Sequence, residues 1–430
     1  MISLKELVNQ GQIEKTKAMV KLPIQVDGID ENILSVYKIP LHYLFYNDEN
    51  GRISTGIAKY KEEITPSNDL EDSQYNDKIS KMIENNNPNS LKKTQESISI
   101  SGQNIHGWVL DDGRIIDGNR RFTALRNIHK KTGKTVFFEA VILPFSYNND
   151  TEKMKIKKLE LSIQMGIEDK EDYEPVDLAL DIYRTTGGNN PIMTEADYAD
   201  ASKIDLKTVR ANYDGVVYMK QFLDYIGAPA DAFDIIKDAR IWSLFYTMGL
   251  TLKKNFSNDP SSQVQKNRTI NSYFATILYL LHVGTEGKHA RTQIREYGSN
   301  IVSTGANDRY NDEAEDLAFD LSDEIKEHNV NNFAELSKAL TESKETVENV
   351  GNVYQDNISS AQNGKSVDDF LKSVKKSERF LEDLNKNGGL VGNVNYKSFS
   401  ADQIKQLQNH MRQINLLSEE LFNKYAEESK

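Results

Sequence analysis

No cysteine occurs in these 430 residues. Disulfides, thiolate metal sites and cysteine nucleophiles are therefore excluded, and the composition fits a reducing compartment. No run of about 18 apolar residues is present either, so no membrane partner is expected. The opening residues Met1 to Lys21 alternate charge with apolar side chains, which is unlike a signal peptide. Histidines such as His42, His106, His282 and His289 lack metal-ligand spacing. An excess of positive charge is missing too: 53 Lys and Arg face 65 Asp and Glu, a formal net charge of −12. That balance argues against nonspecific coating of nucleic acid by the whole chain, while leaving room for a local basic surface. The expectation is a soluble, cytoplasmic protein.

What is present supports folded cores, with 38% hydrophobic residues and 9% aromatics. The length suggests two to three domains. Residues from about Val20 to Pro144 read as mixed α/β. Val36–Pro40, Trp108–Leu110, Arg114–Ile116 and Val136–Leu143 are predicted strands, the last with the continuous apolar character of a buried one. Tyr60 to Asn89 is a polar excursion with one short helix near Lys78 to Ile83, and Leu91 to Ile100 reads as a helix ended by Gly102. Beyond Lys153 strand signals nearly vanish. Helical periodicity covers 176–183, 195–201, 208–225, 270–281, 313–327, 333–350, 367–384 and 401–425.

The most informative stretch is Gly113 to Arg126. Ile115 and Ile116 end a short strand, Asp117 and Gly118 break it, and Arg120 to Ile128 carries Phe122, Leu125 and Ile128 on one helical face. A strand running through glycine into a helix offers backbone N–H groups and the positive helix end to an anion. Gly118 removes the Cβ that would hold a ligand away, and Arg120 and Arg121 add bidentate phosphate recognition.

Asp117-Gly-Asn-Arg-Arg-Phe-Thr-Ala124 resembles the ParB/sulfiredoxin superfamily, in particular partition-type ParB proteins. Further matches stand in the family's order. Ile39–Leu44 and Asn47 to Arg52 resemble its opening strand and loop, Ser97-Ile-Ser-Ile-Ser-Gly102 its Ser-Ile-x-x-x-Gly element, and Leu161–Met165 occupies the place of its Asn-Ile-Gln-Arg helix. The resemblance covers roughly residues 20 to 225. It implies a nucleotide- or phosphate-binding site at Gly118, Asn119, Arg120 and Arg121, joined by Gly102, Gln103, Ser162 and Gln164. The ligand it implies is a nucleoside triphosphate, CTP in the family, with Mg²⁺ and CTPase-like hydrolysis; Glu160 is the metal candidate. Departures weigh against cytidine: Met165 replaces the family's Arg, Leu161 and Ser162 replace Glu and Asn, and His106-Gly107 replaces a proline-containing turn. Sulfiredoxin chemistry is ruled out, because Asn119 fills the position of its catalytic cysteine. An enzyme of the same fold, a phosphotransferase or nuclease, would use Asp117 as base, although an Asp before Gly also serves as a turn former or helix cap.

Met193 to Tyr213 is similar to the ParB-type helix-turn-helix. Thr194 caps the first helix with Asp197 as its capping-box partner, and Lys203 stands where the turn often has Gly. Lys207, Thr208, Arg210 and Asn212 fall on polar positions of the second helix, a face suited to double-stranded DNA. A second basic neighbourhood contains Lys253, Lys254, Lys266, Arg268, Lys288, Arg291 and Arg295. In the last third, Ile404, Leu407, Met411, Ile414, Leu417 and Leu421 form an apolar stripe on a helix of a hairpin or bundle.

The fold expected is an α+β ParB/sulfiredoxin-like domain over 1–150 with a polar insertion at about 53–90. An all-α helix-turn-helix domain over 151–310 and a helical assembly region over 311–430 complete it. The implied function is DNA partition or regulation on a chromosome or mobile element, as a homodimer with a partner ATPase, associated with a nucleoid or plasmid. A non-catalytic adaptor that binds protein through its C-terminal helices is the alternative outside the family.

Overall fold

The computed structural model describes residues 3–58, 73–147, 149–165, 174–285, 287–363, 367–390 and 395–428. The middle of the expected polar insertion, 59–72, lies outside the described residues. Helix α1 (Leu4–Asn9) precedes strands β1 (Glu14–Lys21), β2 (Ile33–Pro40) and β3 (Phe45–Tyr46). Helices α2 (Ser54–Ala58), α3 (Ser73–Asn86) and α4 (Pro88–Ser101) follow, then β4 (Gly107–Leu110), β5 (Arg114–Asp117), α5 (Asn119–Thr132), β6 (Phe137–Leu143) and α6 (Asp150–Met165).

The six strands form one open sheet in the order β1-β2-β6-β4-β5-β3. The β6–β4 and β5–β3 pairs are parallel, and the other three are antiparallel. Successive strand residues point to opposite faces, so the adjacent isoleucines of β5 part company. Ile115 joins Val109, Phe138, Ala140, Phe122 and Leu125 on the face covered by α5. Ile116 joins Trp108, Leu110, Val141 and Leu143 on the opposite face, against Ile156, Leu159 and Ile163 of α6. The sheet is thus covered on both sides, which is why β6 has no polar face. β1 was not anticipated as a strand: it lies at the sheet edge and buries none of its residues, with only Thr16, Ala18 and Val20 half-buried at alternate positions. Its four charged residues fit an edge that resists further pairing.

Beyond the sheet the chain is helical: α7 (Pro175–Thr186), α8 (Glu195–Ser202), α9 (Leu206–Tyr225), α10 (Phe233–Asp238), α11 (Trp242–Asn255), α12 (Pro260–His282), α13 (Gly287–Tyr297), α14 (Ala306–Glu327), α15 (Phe333–Glu342) and α16 (Lys344–Asn363). Most of these pack around one large core in which Phe222, Phe245, Phe274, Tyr273, Tyr297 and Tyr310 are buried. The expected single helix over 333–350 is broken at Ser343, which ends α15 with its N–H on the Ala339 carbonyl. The expected division near 311 falls inside α14. Residues 1–358 form one compact unit. The second unit, 359–430, contains α17 (Val367–Lys386) and α18 (Ala401–Glu428). Among the described residues no helix is long and apolar enough to cross a membrane.

Candidate functional site

β3 and β5 are parallel neighbours, so the loop after Tyr46 and the turn after Asp117 leave the sheet at the same end. Gly118 makes that turn. Its φ of 109° belongs to a region that favours glycine, and it sits at the N-cap of α5 with no side-chain cap. The first N–H groups of α5 therefore lack both intrahelical acceptors and a capping side chain. The space a Cβ would take is already filled by the chain itself: it would lie 2.7 Å from Phe138 Cζ and 3.0 Å from Arg121 Nη2. Gly107, across the sheet, yields to the same ring, with a Cβ 2.2 Å from Phe138 Cζ. Gly118 is thus required by packing before any ligand arrives.

Arg121 folds back over this glycine. Its Nη2 donates to Asp117 Oδ2 at 2.8 Å and reaches the His106 carbonyl at 3.4 Å. Asp117 accordingly holds an arginine, and in this arrangement its carboxylate orients Arg121. Arg120 lies half-buried on the same turn. Asn119 is the unusual member. It is 6% exposed, and among the described residues neither its amide nitrogen nor its amide oxygen has a hydrogen-bond partner. Its backbone carbonyl accepts from Thr123 Oγ1 at 2.9 Å, and that hydroxyl meets Tyr46 OH at 2.8 Å, tying the turn to β3. A buried amide with both ends unsatisfied costs about 1–3 kcal/mol per group unless something fills the gap.

The other expected members of the site are placed elsewhere. Gly102, φ 72°, ends α4 with its N–H on the Ile98 carbonyl. Gln103 is spent on structure: Nε2 donates to the Ile105 and Glu139 carbonyls, and Oε1 accepts from the Glu139 N–H, so the amide pairs with β6 like a short strand. Ser162 faces the helix pair, with Oγ 3.4 Å from the Ala201 carbonyl. Gln164 Nε2 donates to Glu160 Oε1 at 3.1 Å.

Glu160 belongs to a buried ionic network that sequence reasoning did not anticipate. Lys157 Nζ lies 2.7 Å from Asp181 Oδ1 and 3.5 Å from Glu160 Oε2, and Tyr198 OH donates to Asp181 Oδ2 at 2.8 Å. Burial pushes the Glu160 carboxyl up to about 7 against the pull of Lys157, while the neighbouring Asp181 charge adds to the rise. The available signal was local: Glu160 stands between Leu159 and Leu161 with Lys157 one turn back, on a helix buried on two faces. Among the described residues no group of three His, Asp or Glu side chains is placed to hold a metal ion. With its carboxylate committed to Lys157 and Gln164, Glu160 does not fit the Mg²⁺ that the resemblance implies.

Asn47 was also missed as an individual residue. It follows β3, is fully buried, accepts from Arg114 Nη1 at 3.3 Å, and among the described residues leaves its amide nitrogen without a partner. Arg114 pairs with Asp48 and stacks 4.6 Å from the centre of the Tyr147 ring.

The helix pair matches its sequence signals closely. Thr194 caps α8 by accepting from the Asp197 N–H at 3.1 Å and donates to Asp197 Oδ2 at 2.7 Å. Lys158 and Thr194 hold the Asp197 carboxyl below its ordinary range. Lys203 takes the left-handed turn at φ 58°, and Asp205 caps α9 through Thr208. Leu161, Ile182, Met193, Tyr198, Ala199 and Val209 form the small core beneath. Lys207 and Arg210 are exposed, although Arg210 Nε pairs with Glu195 Oε2 at 2.9 Å. Thr208 is half-buried and spends its hydroxyl on Asp205 Oδ2. Asn212 leaves the exposed face: it is buried and donates to the Thr208 carbonyl at 2.8 Å. In the second basic neighbourhood, Arg268 is taken up by Asp312 and Glu315, and Lys253 by Asp214.

The turn and the helix pair are thus two separate features of one compact unit. Compared with known proteins, the chain matches none of the family models, curated proteins or solved structures.

Proposed function

We propose that this chain is a ParB-like DNA-binding protein whose Gly118–Arg121 turn takes the phosphates of a nucleotide. The observation that carries the reading is Asn119, buried at the uncapped start of α5 with no side-chain hydrogen-bond partner among the described residues. A phosphate oxygen there accepts from the amide nitrogen and from the helix N–H groups, in the field of the helix dipole. The oxygen of the same amide is left for a donor on the ligand. Arg121 reaches such a ligand by releasing Asp117, which makes the Asp117–Arg121 pair a contact that ligand binding exchanges.

DNA binding is supported by α8 and α9, a capped pair of helices with Lys207 and Arg210 exposed at the start of the second helix. Lys207 suits a phosphate, and Arg210 suits a base edge once it leaves Glu195. The acidic balance of the chain means that binding depends on these few cations. Partition or regulation of a chromosome or mobile element is the role this combination fits. Fluorescence anisotropy of the full chain with duplex DNA from its encoding locus, at several salt concentrations and with or without nucleotide, tests the reading. Salt-dependent binding is expected; its absence with every duplex and nucleotide would leave α8 and α9 as a scaffold.

A further inference from the structure

Helices α9, α11 and α13 lie side by side. Lys253 of α11 reaches Asp214 of α9 at 3.1 Å, and a Cβ on Gly249 would stand 3.7 Å from the Asp214 Cβ. On its other flank α11 meets the π-helical turn Gly298–Val302 that continues α13. A Cβ on Gly298 would lie 2.8 Å from Thr251 Oγ1, and Asn255 Nδ2 donates to Ser303 Oγ at 3.0 Å. Met248 and Leu252 point from α11 into the core, while Leu250 and Lys254 are exposed between the two neighbours. The three helices thus share one outer surface.

Helical spacing places cations on that surface. In α13, Lys288, Arg291 and Arg295 recur at three and four residues and Gly298 follows at three, so all four stand in one row. The end of the row touches α11, and its three cations, all exposed, line the flank beside it. In α9, Lys207, Arg210 and Asp214 form the matching row, whose end is tied to Lys253. Nearby carboxylates are neutralised, Glu195 by Arg210 and Asp214 by Lys253, and Glu296 is turned about 100° from the α13 row. Lys254, Lys288, Arg291 and Arg295 make no ion pair among the described residues. On a chain with a net charge of −12, these cations reverse the sign of the potential locally.

We propose that Lys288, Arg291 and Arg295, with Lys254, bind backbone phosphates of the same DNA duplex that α9 enters. Interaxial spacings of 8–10 Å put α13 about 16–20 Å from α9, two helices away. The major groove is about 12 Å wide, so a helix that far from the one in the groove meets the backbone beyond its edge and no base. The contact is one of charge, without sequence preference. This inference rests on the DNA-binding reading and adds to it a second surface, far from the helix pair in sequence.

Fluorescence anisotropy of the full chain at several salt concentrations tests it with two triple variants. One carries Lys288→Gln, Arg291→Gln and Arg295→Gln; the other keeps the charge with Lys288→Arg, Arg291→Lys and Arg295→Lys. Each phosphate contact contributes roughly 0.9 to the slope of log affinity against log salt, so the glutamine variant should lose roughly 2–3 units of slope. The loss is expected alike on the encoding-locus duplex and on an unrelated one. The charge-keeping variant should retain the wild-type slope, and all three chains should share one thermal transition because the side chains are exposed. A wild-type slope in the glutamine variant would overturn the inference and leave the reading of α9 standing. So would a loss confined to one duplex sequence, which means base contact, or an equal loss in the charge-keeping variant, which means a structural role. A wild-type chain that binds no duplex would overturn both.

Discussion

Replacing Gly118 by alanine separates two costs that glycine positions usually confound. At φ 109° an L-residue is strained, which costs roughly 1–2 kcal/mol for left-handed backbone. The new Cβ also lies 2.7 Å from Phe138 Cζ and 3.0 Å from Arg121 Nη2. The Phe138 ring is fully buried and packed edge-on against Phe122 at 6.0 Å, so it has little room to withdraw. Overpacking of this kind adds about 1–3 kcal/mol, for a total of about 2–5 kcal/mol. Gly133, at the other end of the same helix, provides the control: φ is 66° and nothing lies within 4 Å of its Cβ position. Gly133→Ala should therefore cost only the strain, about 1–2 kcal/mol. Urea denaturation followed by circular dichroism measures both. The steric share is isolated by Phe138→Leu, which removes the colliding ring atoms; in that background Gly118→Ala should fall to the cost of Gly133→Ala. Equal losses for the two glycines in the wild-type background would refute the reasoning, as would a Gly118→Ala loss unmoved by Phe138→Leu.

Asp181→Ala strands Lys157 and Tyr198 without their shared carboxylate, and should cost about 3–5 kcal/mol in the same denaturation assay; Tyr198→Phe, losing one hydrogen bond, should cost about 1 kcal/mol. Glu160 binds its proton more tightly when folded than the ordinary 4.5 of an unfolded glutamate. Its contribution is therefore fully present below about pH 4.5 and is lost as pH rises through about 7. Glu160→Gln should flatten the stability profile across that window, and an unchanged slope would count against the assignment. Lys207→Ala should lower DNA affinity on all sequences and reduce the salt slope by roughly one unit. Asn212→Ala should instead lower the melting temperature, by a loss of about 1–2 kcal/mol, and leave the salt slope unchanged because the amide is buried on Thr208.

Local chemistry was the legible part of this chain. The β5–Gly118–α5 turn, the Thr194 cap and the Lys203 turn each depend on a few consecutive residues, and each stands where the sequence puts it. Patterns that depend on a partner across the fold were not legible. β1 has no buried residue to advertise it, and α11 and α13 bury faces that only the large helical core defines. The same reason explains the polar residues. Gln103 and Asn212 resemble ligand-facing side chains in a sequence, yet their amides are consumed by Glu139 and Thr208. Glu160 suggested a cation; Lys157 stands one turn back on the same helix, but Asp181 joins that pair only when α6 packs beside α7. Spacing shows which residues share a helix face, and burial decides what that face meets.

The central claim rests most directly on the amide of Asn119. Calorimetric titration of the full chain with CTP, ATP and GTP, each with and without Mg²⁺, should detect binding of at least one nucleotide. Asn119→Ala should weaken that binding by about 1.5–3 kcal/mol, the range for hydrogen bonds to charged groups. It should leave the unfolding transition where it is or raise it, since the side-chain amide makes no hydrogen bond among the described residues. No heat with any nucleotide, or equal affinity for Asn119→Ala and wild type, would contradict the account.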